Sequence, residues 1–225
     1  MTAVPDEAPD EAPSRAIARP RPFTVDESVR RIRRYLWVES RLFEVLGSWV
    51  PSVPELEAKV LLATHARRRA IRAELWRQRL PDGRRGEPDR FGHPPSPALA
   101  TFLDALAAPS APERTIEKLV GVYRVALPHL TAAYACHLAQ INPVSDGPCA
   151  RALELAIGDD AGDRRDGESL VRSLAASADA TARAATQRSR LEHLLVIAGG
   201  IAGGIAGEGP VGSEPEAGQG RRNLE

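Results

Sequence analysis

The sequence predicts an all-α fold: a four-helix bundle with one long crossover and an additional C-terminal helix. Apolar residues recur at helical spacing in the long segments, and no segment shows the alternation of apolar and polar residues that is typical of strands. A glycine- and proline-rich stretch follows the first two predicted helices, and it is longer than the usual connection in a bundle. A chain of 225 residues with 43% hydrophobic residues can bury one core, so we expect one domain with tails.

The two ends of the chain are predicted to lie outside the bundle. Residues 1–22 are acidic and rich in proline and alanine, so we expect a disordered tail, with the bundle over residues 23–198. Residues 199–225 are Gly-rich and then polar, and we expect most of them to be disordered. The chain shows no signal peptide, and its apolar run at 194–206 is shorter than the ~20 residues that cross a membrane. We therefore expect a cytoplasmic protein with no membrane partner.

The first two helices are predicted as an antiparallel hairpin over residues 24–80, with a tight turn at residues 50–52. Thr24 and Glu27 have the spacing of a capping box, so the first helix should begin at Thr24. The second helix should begin near Pro54, because proline is favoured in the first turn of a helix.

The later helices follow a connection of roughly thirty residues, which is long enough to travel the length of a bundle. Within it we predict a short helix at 97–108. A third long helix is predicted over 112–141, with a kink at Pro128, where a backbone donor is missing. A fourth helix is predicted over 147–158, then a charged break, then a final helix over 168–196.

Glu39 is the polar residue that the hairpin has to accommodate. It falls between Leu36 and Phe43 in the apolar stripe of the first helix, and a carboxylate on a buried face must be paired, hydrogen-bonded or bound to a metal. If the hairpin turns near Ser52, His65 lies about as far after the turn as Glu39 lies before it. Antiparallel packing then places both residues at one level, so we predict a polar site between these helices.

The hairpin, the crossover and the later helix pair make the chain resemble the ferritin-like superfamily over about residues 24–195. Di-iron members of that family carry inward-pointing Glu on the first and third helices and Glu-x-x-His on the second and fourth. The resemblance implies that Glu39 and His65 match the ligands on the first and second helices, and that Glu154 matches the Glu on the fourth. It also implies that these three residues hold the metal if the protein keeps one.

The rest of the family's ligand set is missing from this sequence. Leu62 stands where the Glu of the second helix is expected, and Ile157 stands where the His of the fourth is expected. The matching level of the third helix contains no acid, only His129 and Tyr134, which are predicted to line a pocket. Two Glu and one His cannot balance the charge of two iron ions, so we expect no cofactor, with iron or manganese as the alternative.

Arg69 and Arg72 follow His65 by one and two turns on the same side of the second helix. Arginine can bond a carboxylate with two nitrogens at once, so both are candidates to pair with Glu39 or Glu154 in place of a metal. The arginine-rich run also fits a solvated helix end. In a third interpretation, Arg69 and Arg72 line a bundle pocket and receive an acidic ligand.

These residues leave three functions open. The first is a ferritin-like protein with a degenerate metal site, which binds a small organic molecule in the bundle pocket or acts on it. Its reaction would be metal-independent acid/base chemistry by Glu39, His65 and Glu154. The second is a non-haem iron or manganese oxidase or oxygenase with an altered ligand set. The third is a non-catalytic helical interaction module.

The composition narrows the choice of partners. The formal net charge is zero and aromatic residues make up only 4% of the chain, which argues against a nucleic-acid-binding surface. The apolar end of the last helix is compatible with a homodimer. Cys136 and Cys149 flank a predicted turn, and the sequence leaves open whether they form a redox pair or are two small buried residues.

Overall fold

The computed structural model describes residues 21–81, 93–142 and 144–203. Within these ranges the chain is helical and contains no strand, which confirms the all-α prediction. The principal helices are α1 (Val25–Trp49), α2 (Leu56–Arg77), α3 (Pro97–Ala107), α4, α5 (Gly147–Leu174) and α6 (Ala178–Ile197). Helix α4 follows a 3₁₀ turn at Pro112–Arg114 and has three consecutive parts, which are α-helical Thr115–Val120, π-helical Gly121–Ala126 and α-helical Leu127–Ala139.

Helices α1 and α2 form the predicted hairpin, but its turn is longer than the sequence indicates. The capping box at the start of α1 is confirmed: the Glu27 N–H donates to Thr24 Oγ1 over 3.2 Å, and the Thr24 N–H donates to Glu27 Oε2 over 2.7 Å. Helix α1 ends at Trp49 and α2 begins at Leu56, two residues after Pro54, where the sequence predicted its start.

Helix α3 confirms the short helix that was predicted inside the crossover. Ser96 caps its N-terminus by accepting a hydrogen bond from the Leu99 N–H over 3.2 Å. The apolar side of α3, which includes the buried Phe102 and Leu106, packs against α6. Part of the predicted crossover, residues 82–92, lies outside the described ranges.

Helix α4 has its irregular backbone one turn before Pro128 instead of at it. In the π-helical part the Leu127 N–H donates to the carbonyl of Val122, five residues earlier, where an α-helix would use the residue four earlier. Pro128 then lies at the start of the following α-helical part, directly after this wider turn. The wider π-helical turn contains Tyr123, which belongs to the candidate site.

The prediction that a charged break separates 147–158 from 168–196 is wrong. Helix α5 runs without interruption from Gly147 to Leu174, and α6 begins after Ser177, whose side chain caps it. The stretch GDDAGDRRDG has poor helix formers, but two of its acids are buried in ion pairs and Gly167 is buried against Tyr123. Tertiary contacts therefore outweigh the low intrinsic helix propensity here.

The chain beyond α6 is partly packed onto the bundle. Ile201, which was predicted to belong to the C-terminal tail, is only 1% exposed. The remaining predictions of disorder, for residues 1–20 and 204–225, fall outside the described ranges. None of the helices in those ranges has both the length and the apolar character needed to cross a membrane. Cys136 is exposed and Cys149 is buried, and both are free thiols.

Candidate functional site

Side chains from α1, α2, α4 and α5 meet in the interior of the structure, and we call this set the buried charge network. Each member is at most 2% exposed. The members are Glu39, His65, Arg69, Arg72, Tyr123, Tyr134, Asp160 and Asp163. Burial of so many ionisable groups is costly unless each charge has a partner, so the pairing decides what the site can do.

Arg69 lies at the centre of the network and bonds three carboxylates. Its Nη1 lies 3.3 Å from Glu39 Oε2, and its Nη2 donates to Asp160 Oδ1 over 2.7 Å and to Asp163 Oδ2 over 2.6 Å. Arg72 bonds the same two aspartates and donates from Nη2 to Asp163 Oδ2 over 2.9 Å. Two pairs with i, i+3 spacing, one cationic on α2 and one acidic on α5, thus face each other across the interface.

Arg68 completes the charge balance at the edge of the network. Its side chain is 42% exposed and bonds Asp163, so three arginines accompany the three carboxylates. Burial raises the pKa of Glu39, although the neighbouring guanidiniums oppose the shift. Burial acts in the same direction on Asp163, but Arg69 and the other cations around it outweigh burial and hold its pKa below its usual value.

Tyr134 provides Glu39 with a second hydrogen-bond donor. Its hydroxyl donates to Glu39 Oε1 over 2.7 Å and accepts from Trp76 Nε1 over 3.2 Å. The ring of Tyr134 packs edge-on against Tyr35, with 4.7 Å between the ring centroids. Glu39 is therefore held from α2 by Arg69 and from α4 by Tyr134.

His65 is fixed in one neutral tautomer. Its Nδ1 lies 2.7 Å from the Tyr123 hydroxyl, and its Nε2 lies 3.3 Å from Asp163 Oδ1. Because an ionised carboxylate can only accept, Nε2 carries the proton, and Nδ1 accepts from Tyr123. Burial lowers the pKa of His65 to about 4, and the attraction of Asp163 opposes that shift only in part. The imidazole is therefore neutral at physiological pH.

The position of Tyr123 depends on the π-helical part of α4 and on Gly167. A Cβ atom at Gly167 would lie inside the van der Waals distance of the Tyr123 ring. The absence of a side chain there lets the ring lie directly against α5 and lets its hydroxyl contact His65. π-Helical turns are rare and frequently occur at functional sites, so this distortion supports the choice of this region as the candidate site.

A cavity of about 470 Å³ lies beside the network and is lined by residues of α2 and α5. Leu56, Val60 and Leu61 supply its apolar lining, while His65 and Arg68 connect it to the buried charge network. We call it the α2–α5 cavity. Leu56 is 74% exposed and Val60 is 60% exposed, which is a high exposure for large apolar side chains.

Glu154, which the sequence predicted as an inward-facing site residue, lies on the outside of α5. Its side chain is 54% exposed and lies 3.7 Å from Arg151 on the same helix. The buried face of α5 at this level carries Leu153, Ala156 and Asp160, and Glu154 lies on another side of the helix. The prediction that Glu154 stands in the core with Glu39 is therefore wrong.

His129 is also absent from the site. Its side chain is 39% exposed, and its Nε2 lies 2.9 Å from Glu192 of α6. The side of α4 that carries His129 faces α6, whereas the side that carries Tyr134 faces the buried charge network. The structure does bring together five of the predicted residues, which come from three helices: Glu39, His65, Arg69, Arg72 and Tyr134.

Three members of the network were missed in the sequence. Asp160 and Asp163 lie in the stretch that was interpreted as a break, and Tyr123 was not among the predicted site residues. One pattern could have identified the aspartates: Asp160-x-x-Asp163 has the same i, i+3 spacing as Arg69-x-x-Arg72.

The carboxylates of the network do not fit a metal ion. Throughout the part of the chain that the structure describes, no group of three or more His, Cys, Asp or Glu residues is arranged to hold one. Oxygens of Glu39, Asp160 and Asp163 already accept from guanidiniums, and a divalent cation among them would lie beside the positive charges of Arg69 and Arg72. This donor set therefore suits arginine and not iron or manganese.

No protein family, curated protein or solved structure matches this chain. The resemblance to the ferritin-like superfamily therefore stays a prediction from the order of the helices and the partial ligand set.

Proposed function

We propose that the protein binds a small organic molecule, without a metal, in the α2–α5 cavity. The observation that carries this proposal is the cavity itself, whose apolar lining adjoins a set of buried ion pairs. Its volume of about 470 Å³ lies within the usual range for small-molecule sites. Exposed Leu56 and Val60 gain a partner when a ligand covers them, because apolar surface is then removed from water.

The buried charge network has a structural role in this proposal. In the ferritin-like arrangement that the chain resembles, metal ions neutralise inward-facing carboxylates, and here Arg69 and Arg72 supply that positive charge. Their bonds to Asp160 and Asp163 join α2 to α5, the two helices whose side chains line the cavity. A cavity that is held in shape before the ligand arrives binds with a smaller entropic cost.

Binding is better supported than acid/base catalysis. Both ring nitrogens of His65 are engaged, Nδ1 by Tyr123 and Nε2 by Asp163. A proton could reach Nδ1 only after the hydrogen bond from Tyr123 breaks, and the pKa of about 4 disfavours the charged form near neutral pH. Glu154, the third residue of the predicted reaction, lies on the exposed side of α5, away from His65. The proposal therefore assigns His65 to the lining of the cavity and not to proton transfer.

Titration with the neutral fluorescent dye Nile red tests this proposal. The wild-type protein should bind the dye saturably, and Val60→Asn should weaken binding roughly tenfold, because burial of one valine contributes about 1.5 kcal/mol. Ile71→Asn is the matched control, since Ile71 is a β-branched residue on α2 that is 57% exposed and does not line the cavity. The proposal is wrong if both substitutions have the same effect or if neither has any.

Metal analysis tests the metal-free part of the proposal. Protein purified from iron- and manganese-supplemented cultures should contain far less than one metal ion per chain, and dye binding should be unchanged by a chelator. Stoichiometric iron or manganese that is lost in Glu39→Gln, but retained in the exposed-residue control Glu44→Gln, would contradict it.

A further inference from the structure

We infer that the ligand of the α2–α5 cavity is an organic cation, with an apolar body and an ammonium group that lies between Glu57 and Asp166. This inference rests on the proposed function and adds the chemical class of the ligand. It follows from the positions of the two acids, from the charges of the other lining residues and from the apolar side of the cavity.

Glu57 and Asp166 lie where two cavities adjoin. Glu57 belongs to the first turn of α2, and Asp166 belongs to the middle of α5. Both line the α2–α5 cavity, and both also line a second cavity of about 280 Å³ that shares Leu61 with it. A ligand in the α2–α5 cavity therefore has one carboxylate from each helix at the junction of the two spaces.

The remaining charges of the cavity favour a cation. Of the described residues that line the cavity, Arg68 alone carries a positive charge, and its guanidinium bonds the buried Asp163. His65 is neutral at physiological pH, because burial lowers its pKa to about 4. Among the residues that the structure describes, neither Glu57 nor Asp166 forms an ion pair. Both side chains are exposed to solvent, and a positive group from the ligand would give each of them a charged partner.

The apolar lining determines the rest of the ligand. Leu56, Val60 and Leu61 precede or follow Glu57 by one to four residues, so they line the cavity on the same helix. An ammonium group near Glu57 therefore places an attached hydrocarbon group beside Val60. An anionic ligand would have to bring a second negative charge close to Glu57 and Asp166, which disfavours it.

Competition against bound Nile red tests this inference with three compounds that share one alkyl chain: octylamine, octanol and octanoate. Octylamine should displace the dye at roughly fivefold to tenfold lower concentration than octanol, because two partly exposed ion pairs contribute modestly. Octanoate should be the weakest competitor. Glu57→Gln and Asp166→Asn should each reduce the preference for the amine severalfold and leave octanol unchanged. Glu74→Gln, at an exposed glutamate of α2 outside the cavity, should change neither.

The outcomes separate this inference from the proposed function. If Nile red binding depends on Val60 but octylamine competes no better than octanol, the inference of a cationic ligand is wrong, while the proposed binding of a small molecule in the cavity still holds. If octanoate competes best, the cavity prefers an anion and the inference is wrong. Concentration-dependent dimerisation in analytical ultracentrifugation that Val60→Asn abolishes would place a second copy of the chain in the cavity and overturn the inference. Failure of the wild-type protein to bind the dye overturns both proposals.

Discussion

Replacement of Arg69 by methionine tests whether the buried charge network holds the helices together. Arg69 is fully buried and is bonded to Glu39, Asp160 and Asp163, so Arg69→Met leaves three buried carboxylates near one buried cation, Arg72. Removal of one partner from a buried ion pair costs about 3–5 kcal/mol, because the remaining charge is left without compensation. We expect a loss in the free energy of unfolding within this range.

Urea denaturation followed by far-UV circular dichroism measures this loss. Arg67→Met is the matched control, since Arg67 is an exposed arginine two residues away on the same helix, and its replacement should change stability by less than about 0.5 kcal/mol. A double replacement, Arg69→Met with Asp160→Asn, should restore part of the loss, because it removes one of the uncompensated acids together with the cation.

The pH dependence of the same variant provides a second measurement. Burial already raises the pKa of Glu39, and without Arg69 one fewer guanidinium opposes that rise, so lowering the pH favours the folded variant relative to wild type. The difference in unfolding free energy between wild type and Arg69→Met should therefore shrink as the pH falls from about 7 to about 4.5. A loss below about 1 kcal/mol at neutral pH, or a difference that grows in acid, would refute the reasoning.

Two further predictions concern packing and protonation. Gly167→Ala should destabilise the protein by about 1–3 kcal/mol in urea denaturation, because its methyl group overlaps the Tyr123 ring, whereas Gly162→Ala, with open space around it, should be neutral or slightly stabilising. Burial lowers the pKa of His65 and of His137 to about 4, so between about pH 6.5 and 4 the unfolded chain binds protons there that the folded chain does not. These two groups make stability fall as the pH falls through that window, and His137→Phe should reduce the slope by at most about 1.4 kcal/mol per pH unit in parallel denaturation curves. Equal stabilities of the two glycine variants would contradict the first prediction. An unchanged slope in His137→Phe would contradict the second.

The local features of the fold could be predicted from the sequence because nearby residues determine them. The capping box at Thr24 and the helical period of α1 were sufficient to place that helix within a residue. The same period showed that Glu39 would be buried and would need a partner. The side of α2 on which Arg69 and Arg72 stand made them candidates for this partner, and the structure contains both contacts.

The features that depend on tertiary contacts could not be predicted in the same way. Glu39 contacts Arg69 of α2, whereas the polar contacts of His65 are with Tyr123 and Asp163, a division of partners that the spacing around the turn did not predict. The break predicted after residue 158 removed Asp160 and Asp163 from consideration, because their burial depends on partners about 90 residues away in the sequence. From the sequence alone, a segment of poor helix formers is predicted to be a loop, because the tertiary partners that stabilise it as a helix are not visible there.

The contacts of Arg69 also constrain how the chain reaches its native state. Glu39 precedes it by 30 residues, whereas Asp160 and Asp163 follow it by 91 and 94. An intermediate that has docked α1 on α2 before α5 arrives contains only one of the three carboxylates that Arg69 bonds, so it lacks most of the ion pairs that stabilise the native arrangement. We therefore expect the N-terminal and C-terminal halves of the chain to fold in one cooperative step. An α1–α2 hairpin that has folded alone should be poorly populated.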